Sequence, residues 1–239
     1  MVIGLITARG GSKGIPNKNM IDVGGRPLLQ YSIEAAVACE TLDRVFLSTD
    51  MPAAMELATQ FPRLEVPFTR PAELCTDDAT QIQVVQHLFD HLKEAEGCRP
   101  EYLVLLQPTC PLRDPAEIDA AVRLVKEQKL ESLMGVTEAM HHPADYVYPD
   151  PDSPGEYKWV MRSPQWKQRQ DFPKVYFNTG ALYICSLEFL DRTQDFFDER
   201  SHLFEMSAET LFDVDSAFDL SLLRGYLLEK STTAEGQTS

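Results

Sequence analysis

Short apolar runs alternate along this chain with segments whose apolar residues recur at helical spacing, and this alternation constrains the fold most. The runs typical of buried strands include Val2–Ala8, Arg44–Thr49 and Tyr102–Leu106. Helical patterns follow them, one beginning near Pro27 and another after Asp114, which is placed to cap a helix that starts at Pro115. Strand and helix in turn predict an α/β fold with a mostly parallel, doubly wound, Rossmann-like sheet.

The regular pattern is interrupted once, between residues 139 and 178. This stretch is rich in proline and tyrosine and holds both tryptophans, Trp159 and Trp166. Aromatic side chains in such number are unusual for a solvated loop, but they are common where a surface packs on another protein. We therefore interpret residues 139–178 as a small inserted arm that mediates dimerisation.

The rest of the chain predicts one domain. A length of 239 residues is sufficient for one sizeable α/β core and too short for a second full domain. Residues 1–138 and 179–229 form this single domain in our interpretation. It closes with a helix over residues 216–229 that begins at a capping box, and residues 230–239 are expected to be a flexible tail.

The charge balance argues against a nucleic-acid-binding protein. The formal net charge is −15, whereas neutralising the phosphates of a polymer requires a basic surface. The first 30 residues are an exception, because they hold Arg9, Lys13, Lys18 and Arg26 against the single acid Asp22. A local positive stretch in an acidic protein suits a small polyanion.

The cysteines and the apolar runs predict where the protein works. The 5 cysteines are scattered without a C-x-x-C pair, which indicates reduced thiols rather than a disulfide framework or a zinc site. The apolar run that ends at Ala8 is too short to cross a bilayer and lacks the charged start of a secretory signal. We expect a cytoplasmic protein with no membrane partner.

A basic, glycine-rich loop follows the first apolar run, with the sequence ARGGSKGIPNKN over residues 8–19. Its glycines allow the backbone to approach a ligand, and Arg9, Lys13 and Lys18 supply cations that can neutralise a triphosphate. It is not a Walker A loop, because the proline at residue 16 prevents a helix from starting directly after Lys13. A long basic loop after the first strand favours phosphate binding over a mobile surface loop.

This loop resembles the signature of acylneuraminate (CMP-sialic acid) cytidylyltransferases. Six further stretches resemble later motifs of that family in the same order, namely RPAEL at 70–74, QPTCPLR at 107–113, HHP at 141–143, RQDFP at 169–173, GALYI at 180–184 and DVDS at 213–216. Together the motifs span about residues 3–220. The resemblance implies an enzyme that joins CTP to a nonulosonic (sialic-acid-like) 2-keto sugar acid, giving the CMP-sugar and pyrophosphate.

The resemblance also implies roles for individual residues. The implied catalytic residues are Arg9, Lys18 and Asp215. The implied nucleotide-binding residues are Arg9, Gly10, Gly11, Ser12, Lys13, Lys18, Asn19 and Arg70. The implied sugar-binding residues are Gln107, Arg169, Tyr183, Phe196 and Phe197. The family's arrangement further implies a homodimer in which Arg169 reaches the site that holds the partner's Lys18.

Two acids near the closing helix are candidate magnesium ligands. Asp213 and Asp215 flank Val214, so in an extended segment both carboxylates would point to the same side and could bind Mg²⁺. The alternative is that one acid only caps the helix, but the position in the family pattern favours metal binding, for Asp215 especially. The neighbouring pair His141 and His142 lacks a third ligand at suitable spacing, which disfavours a metal site there.

The identity of the acceptor stays open at this point. After HHP the family commonly places a lysine, whereas this chain has Ala144, Asp145 and Tyr146, with Lys158 or Lys167 as candidates to replace it. Pseudaminic, legionaminic, deaminated nonulosonic or octulosonic acid are therefore alternative acceptors. A non-catalytic, nucleotide-binding regulatory protein is the alternative from another functional class.

Overall fold

The computed structural model describes residues 1–11, 14–166 and 168–236. The strands in chain order are β1 Val2–Ala8, β2 Asp22–Val23, β3 Arg26–Pro27, β4 Arg44–Thr49, β5 Leu64–Glu65, β6 Tyr102–Leu106, β7 Ser132–Glu138, β8 Val147–Pro149, β9 Tyr157–Trp159, β10 Tyr176–Ser186 and β11 His202–Glu205. The α-helices are α1 Leu28–Ala38, α2 Pro52–Ala58, α3 Gln81–Glu96, α4 Pro115–Gln128, α5 Leu187–Thr193 and α6 Ala217–Gly236.

Seven of these strands form a central sheet in the order β11-β7-β10-β6-β1-β4-β5. Strand β1 pairs in parallel with β4 and β6, while β10 runs antiparallel to both of its neighbours, β6 and β7. The predicted mostly parallel α/β sheet is confirmed. The carboxyl ends of β1, β4 and β6 lie at one edge, which is where ligands bind in open sheets of this kind.

Helices cover both faces of the sheet, and β1 shows why its run is continuously apolar. Val2 and Ile6 belong to one buried cluster that also contains Leu29 of α1, whereas Ile3 and Leu5 belong to another. Successive side chains of a strand point to opposite faces, so a strand covered on both sides is apolar at most of its positions. Each fully buried aliphatic side chain contributes about 1.5–3 kcal/mol.

The predicted helix starts are set by side-chain caps. Asp114 accepts a hydrogen bond from the Ala116 amide at 2.9 Å, and Pro115 is the first residue of α4. Before α6, the Ser216 amide donates to Asp219 Oδ2 at 2.7 Å and the Asp219 amide donates to Ser216 Oγ at 3.3 Å. The predicted caps of both helices are present.

The closing helix is longer than expected. It extends to Gly236, past the expected end at residue 229, and residues 237–239 lie outside the described part. Lys230 explains part of the extension, since its ammonium group lies 3.2 Å from Glu209 Oε1 and 5.2 Å from the centre of the Tyr226 ring. None of the described helices is both long and apolar enough to pass through a lipid bilayer.

The predicted arm contains more regular structure than its sequence indicated. Strands β8 and β9 pair as an antiparallel hairpin, and β10 already begins at Tyr176, inside the expected bounds of the arm. Trp166 packs within the arm against Phe172 and His142, with ring centres 5.5 and 5.6 Å apart. Trp159 stays 41% exposed.

Candidate active site

A cleft of about 420 Å³ opens beyond the carboxyl ends of β1 and β6. Among the predicted site residues, those that line it are Arg9, Gly11, Lys18, Asn19, Arg70, Gln107 and Asp215. These residues come from four separate stretches of the chain. The cleft therefore brings the basic loop, the RPAEL and QPTCPLR stretches and the DVDS stretch to one volume.

The basic loop is held by its own backbone and by its neighbours. Asn17 adopts a left-handed conformation, with φ 53°, before the short turn Lys18–Met20. Asn19 Nδ2 donates to the carbonyl of Arg9 at 3.0 Å, which closes the loop on itself. The Gly10 amide donates to Asp50 Oδ1 at 2.9 Å and so fixes the loop to the end of β4. Two predicted nucleotide-binding residues, Ser12 and Lys13, lie outside the described residues.

One glycine of this loop touches the acidic segment. A Cβ added at Gly14 would lie only 2.4 Å from the backbone oxygen of Asp215, closer than real Cβ atoms approach any neighbour. A side chain at this position is therefore incompatible with the present contact. Gly14 allows the basic loop and the DVDS stretch to meet.

Lys18 and Asp215 form an ion pair inside the cleft. Lys18 Nζ lies 2.8 Å from Asp215 Oδ1, and the lysine side chain is 12% exposed whereas the carboxylate is 72% exposed. The ammonium group is thus held beneath an accessible carboxylate. A cation and an anion in this arrangement can bind a metal-associated phosphate from two sides.

Asp213 lies in a more buried position than Asp215. Val214 between them is fully buried, and its amide donates to the carbonyl of Thr109 at 2.8 Å. Burial raises the pKa of Asp213 and the nearby charge of Asp215 raises it further, while Thr109 and Lys18 oppose the shift. Asp213 does not line the cleft itself but borders a neighbouring groove.

The donor atoms of these acids fit magnesium. Within residues 1–11, 14–166 and 168–236, no group of three or more acidic, histidine or cysteine side chains is arranged to hold a metal ion. Magnesium is usually bound by only one or two carboxylates, with water and substrate phosphates completing its shell. Asp215 and Asp213 supply two such carboxylates beside a cleft that has room for phosphates.

Two arginines on the nucleotide side have different environments. Arg9 pairs with Asp77 at 2.7 Å and also donates to the carbonyls of Cys75 and Thr76. Arg70 is buried, which lowers its pKa, and its Nε donates to Ser48 Oγ at 3.0 Å. Arg9 therefore links the basic loop to the opposite wall, whereas Arg70 is fixed to β4.

The predicted sugar-binding residues are only partly brought together. Tyr183 stacks on Phe196 and Phe197, with ring centres 6.0 and 5.4 Å apart, and its hydroxyl donates to Asn178 Oδ1 at 3.1 Å. Burial raises the pKa of Tyr183. Of the predicted sugar-binding residues, Gln107 lines the cleft, and the aromatic stack does not.

The arm residues with expected roles contribute little to the described cleft. Arg169 belongs to the turn Arg169–Asp171, but its side chain lies outside the described part of the structure, as does Lys167. Lys158 forms an ion pair with Asp150 of the arm at 3.0 Å. His142 uses Nδ1 to accept from the Ala144 amide at 3.1 Å, which caps a short turn.

Several residues that line the cleft were not predicted from the sequence, namely Thr7, Thr76, Ala79, Gln81 and Thr109. Gln81 is the first residue of α3, whose N-terminus carries a capping box between Thr80 and Gln83. That capping box is visible in the sequence and could have indicated a helix N-terminus beside a phosphate site.

Comparisons with known proteins agree with the family resemblance found in the sequence. The model of a family described as Cytidylyltransferase matches residues 3–233. An N-acylneuraminate cytidylyltransferase of Streptococcus agalactiae serotype V is 30% identical over 93% of this chain and 52% of its own length. A pseudaminic acid cytidylyltransferase of Campylobacter jejuni is 29% identical over 92% of this chain and 93% of its own. The chain spans about half the length of the Streptococcus relatives it matches.

Solved structures share the fold at lower identity. A CMP:2-keto-3-deoxy-manno-octonic acid synthetase complexed with CTP superposes with a TM-score of 0.70 at 16% identity, covering 96% of this chain and 99% of that one. A 4-diphosphocytidyl-2C-methyl-D-erythritol synthase of Anaerococcus prevotii has a TM-score of 0.62 at 13% identity, covering 95% and 96%. Likeness at this level of identity concerns the fold alone.

Proposed function

This chain belongs to the cytidylyltransferase family, and we propose that it transfers CMP from CTP to a nonulosonic 2-keto sugar acid with release of pyrophosphate. The observation that carries the proposal is the cleft in which Arg9, Lys18, Arg70 and Asp215 face one volume at the carboxyl ends of the strands. Similar proteins support the proposal, since they include N-acylneuraminate and pseudaminic acid cytidylyltransferases and a CMP-N,N'-diacetyllegionaminic acid synthase.

The chemistry requires mainly positioning and charge neutralisation. A hydroxyl oxygen of the sugar acid forms a bond to the α-phosphorus of CTP, and the bond to the bridging oxygen breaks, releasing pyrophosphate and a proton. Lys18 and Arg9 bind the negative charge of the departing pyrophosphate, and Gln107 orients the sugar acid from the other wall. Mg²⁺ held by Asp215 and Asp213 would polarise the α-phosphate and lower the pKa of the attacking hydroxyl.

The protein is proposed to act as a homodimer. Large apolar side chains are exposed along the arm, namely Tyr146, Val147, Tyr148, Tyr157, Trp159, Val160 and Met161. Exposed apolar side chains in this number within one segment support a protein interface. The Arg169 side chain is proposed to reach the cleft of the second copy, where it meets the partner's Lys18.

Subunit exchange tests this shared site. Lys18→Ala and Arg169→Ala variants should each be inactive, and mixing them should restore full activity at about a quarter of all sites, because one site of each mixed dimer carries neither defect. If the mixture stays inactive although subunit exchange is shown independently, both residues serve sites within one chain.

A cytoplasmic location is the accompanying proposal. All five cysteines, at positions 39, 75, 98, 110 and 185, are free thiols in the structure. Unpaired thiols in this number support a reducing compartment. Blocking of all five by a thiol reagent in denatured extracts prepared without reductant would support the location, whereas recovery of disulfide-bonded protein would contradict it.

The reaction test is pyrophosphate release from CTP with a panel of nonulosonic and octulosonic acids. We expect turnover with at least one nonulosonic acid in the presence of Mg²⁺, and much slower turnover with ATP or GTP. Equal rates with all nucleotides would contradict cytidine selection. CTP binding without turnover on any acceptor would favour the regulatory, non-catalytic alternative.

A further inference from the structure

Arg113 is a buried cation that has no part in the mechanism described above. Its residue is 8% exposed, and burial lowers its pKa to about 10. The guanidinium group donates from Nη1 to Ser32 Oγ at 2.9 Å, from Nε to the carbonyl of Ala181 and from Nη2 to the carbonyl of Gln107. None of these acceptors is a carboxylate, and no ion pair of Arg113 occurs among the described residues.

Burying a guanidinium group without a contacting carboxylate is unfavourable for the stability of the fold. Removing a charged group from water costs several kcal/mol, and apolar side chains of similar volume are often as good or better for stability. The hydrogen bonds to α1, to the end of β6 and to β10 therefore point to a role in geometry rather than in stability alone.

Two of the acceptors of Arg113 are at or near predicted sugar-binding residues. Gln107 lines the cleft directly, and Ala181 precedes Tyr183 of the aromatic stack by two residues. Gly180, which has φ +71°, stands against the Gln107 side chain, since a Cβ there would lie 3.3 Å from Gln107 Oε1. The guanidinium thus fixes the main chain of Gln107 while Gly180 leaves room for its amide.

The nucleotide side receives no contact from this group. The three acceptors belong to residues 32, 107 and 181, and none comes from the basic loop or from the segment that carries Arg70. Arg70 has a separate anchor on Ser48. The two walls of the cleft are therefore held by two different buried arginines.

We propose that Arg113 is a positioning residue for the acceptor, which sets Gln107 and the part of β10 around Ala181, next to Tyr183, without contributing to nucleotide binding. The inference rests on the proposed function, because it assigns one wall of the same cleft to the sugar acid. It predicts that the two substrates respond differently to changes at position 113.

The test compares Arg113→Lys and Arg113→Met with the wild type in steady-state pyrophosphate release. We expect KM for the sugar acid to rise about tenfold or more, because Gln107 is no longer held where it meets the sugar acid, while KM for CTP stays within about twofold. The Met variant fills the site with an apolar chain of similar length, so folding is retained and can be checked by Tm.

Ser32→Ala is the matched control, because it removes one acceptor of Arg113 but leaves the bonds to Gln107 and Ala181. It should change neither KM.

A double-mutant cycle shows whether Arg113 acts through Gln107. In a Gln107→Ala background, Arg113→Lys should raise KM for the sugar acid by a smaller factor than it does in the wild-type background, because one of the two elements that Arg113 positions, the Gln107 side chain, is already absent. Equal rises in both KM values, or full additivity with Gln107→Ala, would overturn the positioning role and leave the proposed function standing. Absence of turnover in the wild type would overturn both.

Discussion

The contact between Gly14 and Asp215 makes Gly14→Ala a decisive substitution. The new Cβ would lie 2.4 Å from the Asp215 carbonyl oxygen, whereas Cβ atoms essentially never approach closer than 3.0 Å. One of the two segments must therefore move by at least about 0.6 Å, and overpacking of this kind costs about 1–3 kcal/mol. The movement would separate groups that meet in the cleft, since Asp215 pairs with Lys18 at 2.8 Å.

We expect Gly14→Ala to lower kcat by about a hundredfold, because a displacement approaching 1 Å at a reacting centre has an effect of this size. The measurement is steady-state pyrophosphate release together with Tm. Gly225→Ala is the matched control, since nothing lies within 4 Å of a Cβ at this position in α6 and alanine favours a helix. Gly11→Ala, also free of neighbours within 4 Å, should lose less than Gly14→Ala. A Gly14→Ala enzyme with kcat within about twofold of the wild type would refute this reasoning.

Two further predictions concern acidic side chains. Asp215→Ala should lower kcat by roughly a hundredfold or more with the fold intact, because the charge of the bound metal would be lost. Asp213→Ala should lower kcat by less. Near-normal turnover of Asp215→Ala would refute the metal assignment. Burial alone would raise the pKa of Asp119, but hydrogen bonds from Thr41 and Glu40 lower it below its ordinary value. Asp119→Asn should therefore lower stability by about 1–2 kcal/mol at neutral pH. The difference in the free energy of unfolding between the wild type and Asp119→Asn should disappear as the pH falls through the lowered pKa of Asp119. A difference that persists in acid would contradict this prediction.

The elements that could be predicted from sequence are those whose burial is uniform. Strands β1, β4 and β6 are covered on both faces, so their apolar runs coincide with their bounds. Strand β5 differs from them, because it consists of Leu64–Glu65 alone and only these two residues pair with β4. A strand defined by only two residue pairs has no characteristic sequence pattern.

Other strands show no regular alternation of apolar and polar residues in the sequence. Every residue of β8 and β9 is exposed, so their pairing produces no alternation. Strand β10 begins with exposed Tyr176 and Phe177, and its register shifts between Asn178 and Tyr183, which hides its first part from any periodicity. Strand β11, at the edge of the sheet, is only half-buried.

The candidate site was accessible from sequence to the extent that its motifs are local. The basic loop suggests its chemistry from residue type and spacing, whereas the metal role expected for the DVDS stretch depends on the resemblance to a known family. That Gly14 abuts the Asp215 carbonyl, and that Arg113 reaches Gln107 and Ala181, are properties of packing between distant stretches. Such contacts cannot be seen in any one stretch.

The reversed direction of β10 decides where variation in this architecture can be accommodated. The arm leaves the sheet after the carboxyl end of β7 and returns at the amino end of β10, and because these strands are antiparallel both ends lie at the edge that holds the cleft. A parallel β10 would have returned the chain to the opposite edge, far from the ligands. Insertions and replacements in the arm therefore change the surface beside the cleft while the buried strands keep their packing. The arm can diversify separately from the scaffold that forms the cleft.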